Sequence, residues 1–130
     1  GTSASLRGVA TVLRRHRTDV MIVAVEPAES AVLSGGERGG HMIEGTGVGF
    51  VPPLWVPGLA DAVEPVSTAE AQAMARRLAR EEGVFGGTSC GANVAAALRV
   101  AQRLGPGHRV VTLMVDSGLK YVNTDVYRTP

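Results

Sequence analysis

The run Val20-Met21-Ile22-Val23-Ala24-Val25 constrains this chain more than any other stretch. Six consecutive apolar residues, ended by Glu26-Pro27, have the length of a strand and leave no polar face to turn toward water. Such a strand has to be covered on both sides, as in a parallel sheet packed between helices. Val110-Val111-Thr112-Leu113-Met114-Val115 repeats the pattern and predicts a second buried strand. Elsewhere the period is helical. Leu6, Val9, Ala10, Val12 and Leu13 mark one packed face from Ser5 to about Arg15. Ser67-Thr68-Ala69-Glu70 has the form of a capping box and opens a helix to about Glu82, stopped at Gly83. Asn93 to Leu104, closed by Gly105-Pro106-Gly107, predicts another helix. Ala62-Val63-Glu64-Pro65-Val66 predicts a short peripheral strand, because Pro65 cannot donate a ladder hydrogen bond. Helices alternating with all-apolar strands give the fold class: α/β, a parallel, helix-covered sheet.

At 130 residues, 45% of them hydrophobic, the chain has the size of one domain with a core of its own. Thirteen basic against twelve acidic residues leave a net charge of +1, which offers no electrostatic grip on nucleic acid or on an anionic membrane. The basic clusters Arg14-Arg15-His16-Arg17 and Arg76-Arg77 with Arg80 fall near predicted helix ends, where they complement the dipole. A single cysteine, Cys90, rules out an intrachain disulfide and a cysteine zinc set, so the expected compartment is the reducing cytoplasm. No apolar run reaches the roughly 18 residues of a membrane span. The chain opens on Gly1-Thr2-Ser3-Ala4-Ser5, small residues leading into a helix, and the expectation is a fragment, a processed chain or one part of a larger protein.

Two helix starts are built from small and hydroxyl residues: Gly1 to Ser5, and Gly86-Gly87-Thr88-Ser89-Cys90-Gly91-Ala92-Asn93. A helix start offers free N–H donors and positive dipole potential, which suits a phosphate group. The dipole contributes only about 0.3–2 kcal/mol, so backbone donors and the Thr2, Ser3 and Ser5 hydroxyls would have to act together. In the second start the glycines let the backbone approach a ligand closely, while Ser89 or Thr88 could equally be a simple N-cap. Between Ala28 and Pro57 a short helix through Ser30 to Ser34 is followed by a segment crowded with glycine and proline. A loop of that length in a compact domain is unusual without a task. The interleaved Ile43, Val48, Phe50, Val51, Leu54 and Trp55 predict that much of it packs, either as a functional loop or as a plain connector. His16, His41 and His108 are too scattered for a metal set, and Cys90 reads as a small buried thiol.

Four ordered motifs point further: Val25 to Gly36, His41 to Pro52, Gly87 to Ala92, and Asp116 to Asp125. Together they closely resemble the later half of cysteine synthases, pyridoxal-phosphate enzymes of fold type II related to cystathionine β-synthase. The resemblance covers nearly all of the chain and implies the larger, cofactor-binding portion of that fold. In the family a Gly-Thr-Gly-Gly-Thr loop binds the cofactor phosphate, and Gly1, Thr2, Ser3, Ala4 and Ser5 fall at its position. The resemblance therefore implies that Gly1, Thr2, Ser3 and Ser5 hold phosphate, although Ser3 and Ala4 replace two glycines and restrict positive φ. Ser89 matches the serine that hydrogen-bonds the pyridine nitrogen. Gly45, Thr46 and Gly47 match the substrate loop that lies near the cofactor and closes over the substrate.

The family's cofactor-linked lysine, its asparagine on the cofactor hydroxyl and its substrate-carboxylate loop all precede the phosphate loop, and none falls within these residues. The one lysine, Lys120, lies in a motif after the last strand and is expected to be a surface or structural residue. No catalytic residue is thus expected in this chain, which would depend on an amino-terminal segment as partner. Asp116 stands where many relatives carry proline and is expected to act as an N-cap or turn residue. The implied reaction is β-replacement on an activated serine, O-acetylserine or O-phosphoserine, by sulfide or another nucleophile, in a homodimer with no nucleic-acid or membrane partner. Formation of cystathionine or of a non-protein amino acid is the runner-up. The alternative of a different kind is a non-catalytic remnant that binds a phosphorylated ligand or a partner protein.

Overall fold

The computed structural model describes residues 1–128. The first apolar run delivers a strand displaced toward its end: β1 spans Val23–Pro27, with Ile22 buried just before it. It pairs in parallel with β2, Ala62–Val66, in a register running from Val23 opposite Ala62 to Pro27 opposite Val66. Pro65 is exposed, and its carbonyl accepts from Arg99 Nη1 at 2.8 Å. Three helices surround this pair: α1 (Ala4–His16), α2 (Thr68–Glu81) and α3 (Thr88–Leu104). The capping box forms as the sequence predicts, Ser67 accepting from the Glu70 N–H while the Glu70 carboxylate accepts from the Ser67 N–H.

α2 and α3 pack into the main core, where Ile43, Val66, Ala71, Ala92, Ala95 and Ala96 meet. Their backbones come into direct contact at Gly91, where a Cβ would stand 2.0 Å from the Ala71 carbonyl oxygen and 2.8 Å from the Ala75 nitrogen. α1 belongs to a second cluster formed by Ala10, Ile22 and Leu59, with Leu6, Val20 and Trp55 against it. Ile43 and Trp55 come from the long glycine- and proline-rich segment, so that segment packs against both cores. Asp61 fastens α1 to the sheet: its Oδ2 accepts from the Ile22 N–H at 2.7 Å and from Arg14 at 2.9 Å. The Ile22 N–H above all, helped by the Arg14 guanidinium, holds this carboxyl below its ordinary value against the opposing effect of desolvation.

Three sequence expectations change. Residues 110–115 do not form a strand, and Val111 is 81% exposed. A strand needs a ladder partner, and among the described residues the nearest pairing is a single antiparallel bridge between Gly86 and Ser117. An anchor for the run is the bond from Asn93 Nδ2 to the Leu113 carbonyl at 3.0 Å. α3 begins at Thr88, five residues before the predicted Asn93, because its first turn is small enough to lie on the α2 backbone. The short helix expected from Ser30 to Ser34 is two 3-10 turns, Ala28–Ser30 and Val32–Ser34. The buried Glu26 carboxylate caps the second by accepting from the Leu33 and Ser34 N–H groups at 2.8 and 3.1 Å.

Candidate functional site

The head of α1 is held in an unusual shape. Ser3 has φ 66° and ψ 6°, the left-handed region, and is the one non-glycine residue among those described with positive φ. The sequence suggested that a serine here would restrict such an angle; the structure shows the serine adopting it, at a cost of about 1–2 kcal/mol. Ser3 makes no capping side-chain bond and the first turn contains no acidic residue. Its carbonyl accepts from the Arg7 N–H at 2.9 Å, which closes the first turn. The Ala4 N–H donates to Thr2 Oγ1 at 3.4 Å, and the Ser5 and Leu6 amides are the helix-start donors that remain beside the Thr2, Ser3 and Ser5 hydroxyls. A helix start with remaining N–H and hydroxyl donors and no acidic residue in its first turn suits an anion.

Gly1 joins this cradle to the next segment, since a Cβ on Gly1 would stand 2.6 Å from the Gly45 carbonyl oxygen. Residues 41–47 form a tight loop in which Gly45 and Gly47 take φ of 78° and 52°. Thr46 Oγ1 donates to the Ile43 carbonyl at 2.7 Å. The Glu44 N–H donates to Thr88 Oγ1 at 3.3 Å, which ties the loop to the first residue of α3. A continuous rim therefore runs from Gly1 through Gly45 and Glu44 to Thr88, and Ser89 follows directly. The predicted site residues Gly1, Thr2, Ser3, Ser5, Gly45, Thr46 and Gly47 lie on the two segments that meet at Gly1, and Ser89 is joined to them through Thr88.

At the head of α3 the N-cap is Gly87, with no capping side chain, so Thr88 and Ser89 are the first residues inside the helix rather than its cap. Ser89 is buried, with 7% of its surface exposed. The close approaches that the glycines permit are filled by protein groups rather than left for a ligand. A Cβ at Gly87 would stand 2.4 Å from both Asp116 Oδ1 and the Tyr121 ring, and one at Gly86 would stand 2.9 Å from Cys90 Sγ. Asp116 organises this end of the helix. Its Oδ1 accepts from the Gly87 N–H at 3.2 Å, and its Oδ2 accepts from the Tyr121 hydroxyl at 2.7 Å. Burial first, then the Asp116 carboxylate, push the Tyr121 phenol far above its ordinary value, which keeps it a permanent donor. Lys120 lies on the surface with its Nζ 3.7 Å from Asp116 Oδ2, and Cys90 is fully buried. Asp116 does not cap the turn that follows it, whose N-cap is Ser117; it bridges Gly87 and Tyr121 instead. Its bond to Tyr121 had no local signal in the sequence, and neither did the side chains that receive the amides of residues 42–44.

Known proteins resemble the chain throughout. A family model described as pyridoxal-phosphate dependent enzyme matches residues 1–116. A cysteine synthase of Staphylococcus aureus is 42% identical over 127 residues, covering 98% of this chain and 41% of that protein. The crystal structure of a cysteine synthase from Entamoeba histolytica has a TM-score of 0.93 at 36% identity, covering all of this chain (100%) and 39% of that one. An O-acetylserine dependent cystathionine β-synthase from Helicobacter pylori gives 0.92 at 37% identity, covering 98% and 42%. The chain thus spans about two fifths of the length of the relatives it matches.

Proposed function

Because this chain belongs to the pyridoxal-phosphate dependent enzymes, we propose that it is the carboxy-terminal, cofactor-binding portion of a cysteine synthase-like enzyme. The observation that carries this reading is the head of α1, whose N-cap Ser3 makes no side-chain bond, whose first turn has no acidic residue, and which lies against Gly45. Gly1, Thr2, Ser3 and Ser5 hold the cofactor phosphate there through N–H and hydroxyl donors. The Ser89 hydroxyl, free of capping duty, hydrogen-bonds the pyridine nitrogen. Being neutral, it leaves that nitrogen without the counter-charge that a carboxylate would supply. Bound there, the cofactor supplies the electron sink for β-replacement on an activated serine. Gly45, Thr46 and Gly47 border the amino-acid substrate, either O-acetylserine or O-phosphoserine, with sulfide as the incoming nucleophile. The cofactor-linked lysine and the groups that bind the substrate carboxylate come from a preceding segment, so the 130 residues are not competent alone. The working enzyme is a cytoplasmic homodimer.

The test is the purified natural protein, studied by intact mass and by the visible absorbance of bound cofactor, and assayed for sulfide-dependent consumption of O-acetylserine. A cofactor band with turnover on a longer polypeptide supports the reading. Absence of the band, with phosphate still bound, replaces it by the non-catalytic remnant. Thr2→Ala and Ser5→Ala are expected to weaken cofactor affinity about tenfold each, the scale of one hydrogen bond to a charged group. Ser89→Ala is expected to keep the cofactor and lower turnover.

A further inference from the structure

Three consecutive amides of the 41–47 loop are each received by a side chain from a different place. The Met42 N–H donates at 3.0 Å to Thr68 Oγ1, on the first residue of α2. The Glu44 N–H donates to Thr88 Oγ1, on the first residue of α3. Between them, the Ile43 N–H donates at 3.2 Å to Nδ1 of His41, inside the loop itself. The other ring nitrogen, Nε2, lies 2.9 Å from the Gly47 carbonyl oxygen. A carbonyl only accepts and an amide N–H only donates, so the ring is specified at both ends: Nε2 carries the hydrogen and Nδ1 is bare. Gly47 is pressed against this ring, since a Cβ there would stand 2.6 Å from both His41 Nε2 and Pro27 Cγ, at the carboxyl end of β1. Ile43, between the two ring contacts, is 1% exposed in the main core. The imidazole thus closes residues 43–47 into a hoop fixed at its base.

We propose that His41, as the neutral Nε2–H tautomer, is the positioning residue that sets Gly45-Thr46-Gly47 as a preset wall of the amino-acid site. This rests on the reading above that these three residues border the substrate. His41 touches neither substrate nor cofactor in this role. It acts by holding the Ile43 N–H and the Gly47 carbonyl at a fixed separation, so that binding does not have to order the loop.

The ring itself gives the first test. In the 15N spectrum of the purified protein, His41 is expected to show one protonated and one bare nitrogen, the bare one being Nδ1. An Nδ1–H tautomer, or signals averaged between tautomers, overturns the assignment, and this arm decides even if the protein binds no cofactor and the reading above fails. The second test uses the complete, cofactor-loaded enzyme. His41→Ala is expected to raise KM for the amino-acid substrate about tenfold while kcat stays within about twofold and the cofactor is retained. His41→Asn keeps an acceptor near Nδ1 and His41→Gln keeps a donor near Nε2, so each is expected to recover part of the loss. An unchanged KM in His41→Ala, or loss of cofactor in step with the rise in KM, overturns the positioning role.

Discussion

Gly91 stands inside α3, one turn from its start, where alanine is ordinarily the better helix residue by about 1 kcal/mol. At this position the added methyl would lie 2.0 Å from the Ala71 carbonyl oxygen and 2.8 Å from the Ala75 nitrogen. Ordinary contact begins at 3.4 Å, so the α2 backbone would have to withdraw by about 1.4 Å along an interface where Ala71 and Ala75 are completely buried. Overpacking by one methyl costs about 1–3 kcal/mol when side chains can adjust. Here the obstacle is backbone, which places the cost at the upper end of that range. After the gain in helix propensity, Gly91→Ala is expected to lose about 2 kcal/mol of stability. Gly8, in α1, is the control. A methyl added there would meet nothing within 4 Å, so Gly8→Ala is expected to gain about 0.5–1 kcal/mol. Urea unfolding followed by far-ultraviolet circular dichroism measures both. If the two variants shift the midpoint in the same direction, direct backbone contact between α2 and α3 is not what fixes the head of α3.

Ser3→Gly is expected to stabilise the protein by about 0.5–1 kcal/mol in thermal unfolding, because relief of the left-handed serine exceeds the entropy glycine adds to the unfolded chain; a loss would mean that the angle carries no strain. Asp61→Asn tests a pH dependence with a definite sign. The folded Asp61 carboxyl lies below its ordinary 3.8, so its contribution is complete above pH 4 and is lost as pH falls through the folded value. The deficit of the asparagine variant should therefore be plain at pH 7 and shrink on acidification below pH 4, whereas a constant deficit would assign the effect to shape. Tyr121→Phe leaves the largely buried Asp116 Oδ2 without its hydroxyl donor and is expected to cost about 1–3 kcal/mol in urea unfolding, an unchanged midpoint contradicting the clamp.

What could be read in the sequence was local. The Ser67–Glu70 capping box and the end of α2 at Gly83 depend on neighbours a few residues away, and both appear. The apolar run from Val20 to Val25 yields a strand shifted to Val23–Pro27, paired with residues 39 positions on. The α/β class followed from the same kind of pattern. Residues 110–115 have the composition of a buried strand, but a strand exists only beside another, and no apolar pattern says whether the partner is at hand. The left-handed Ser3 goes against the rule for its residue type, and no neighbouring residue in the sequence signals it. The link from Gly87 to Asp116 and Tyr121 joins positions 29 and more residues apart, which no spacing rule connects. Among the site residues, those on the α1 head and in the loop were legible through motif resemblance. The packing that holds them, through Thr68, His41 and Thr88, was legible only in three dimensions.

The run from Val110 to Val115, exposed from Val111 onward, has a further consequence for pairing. It is uncharged, free of proline and rich in β-branched residues, with its backbone largely without ladder partners, the composition of a cross-β zipper segment. Arg109 and Asp116 bracket it with one charge on each side, the usual gatekeepers of such a segment. Six residues thus carry a template for stacking copy upon copy, restrained by two charges at its margins. The same unpaired backbone is where a further strand of a longer polypeptide would add to the fold, and a strand laid there would remove the template.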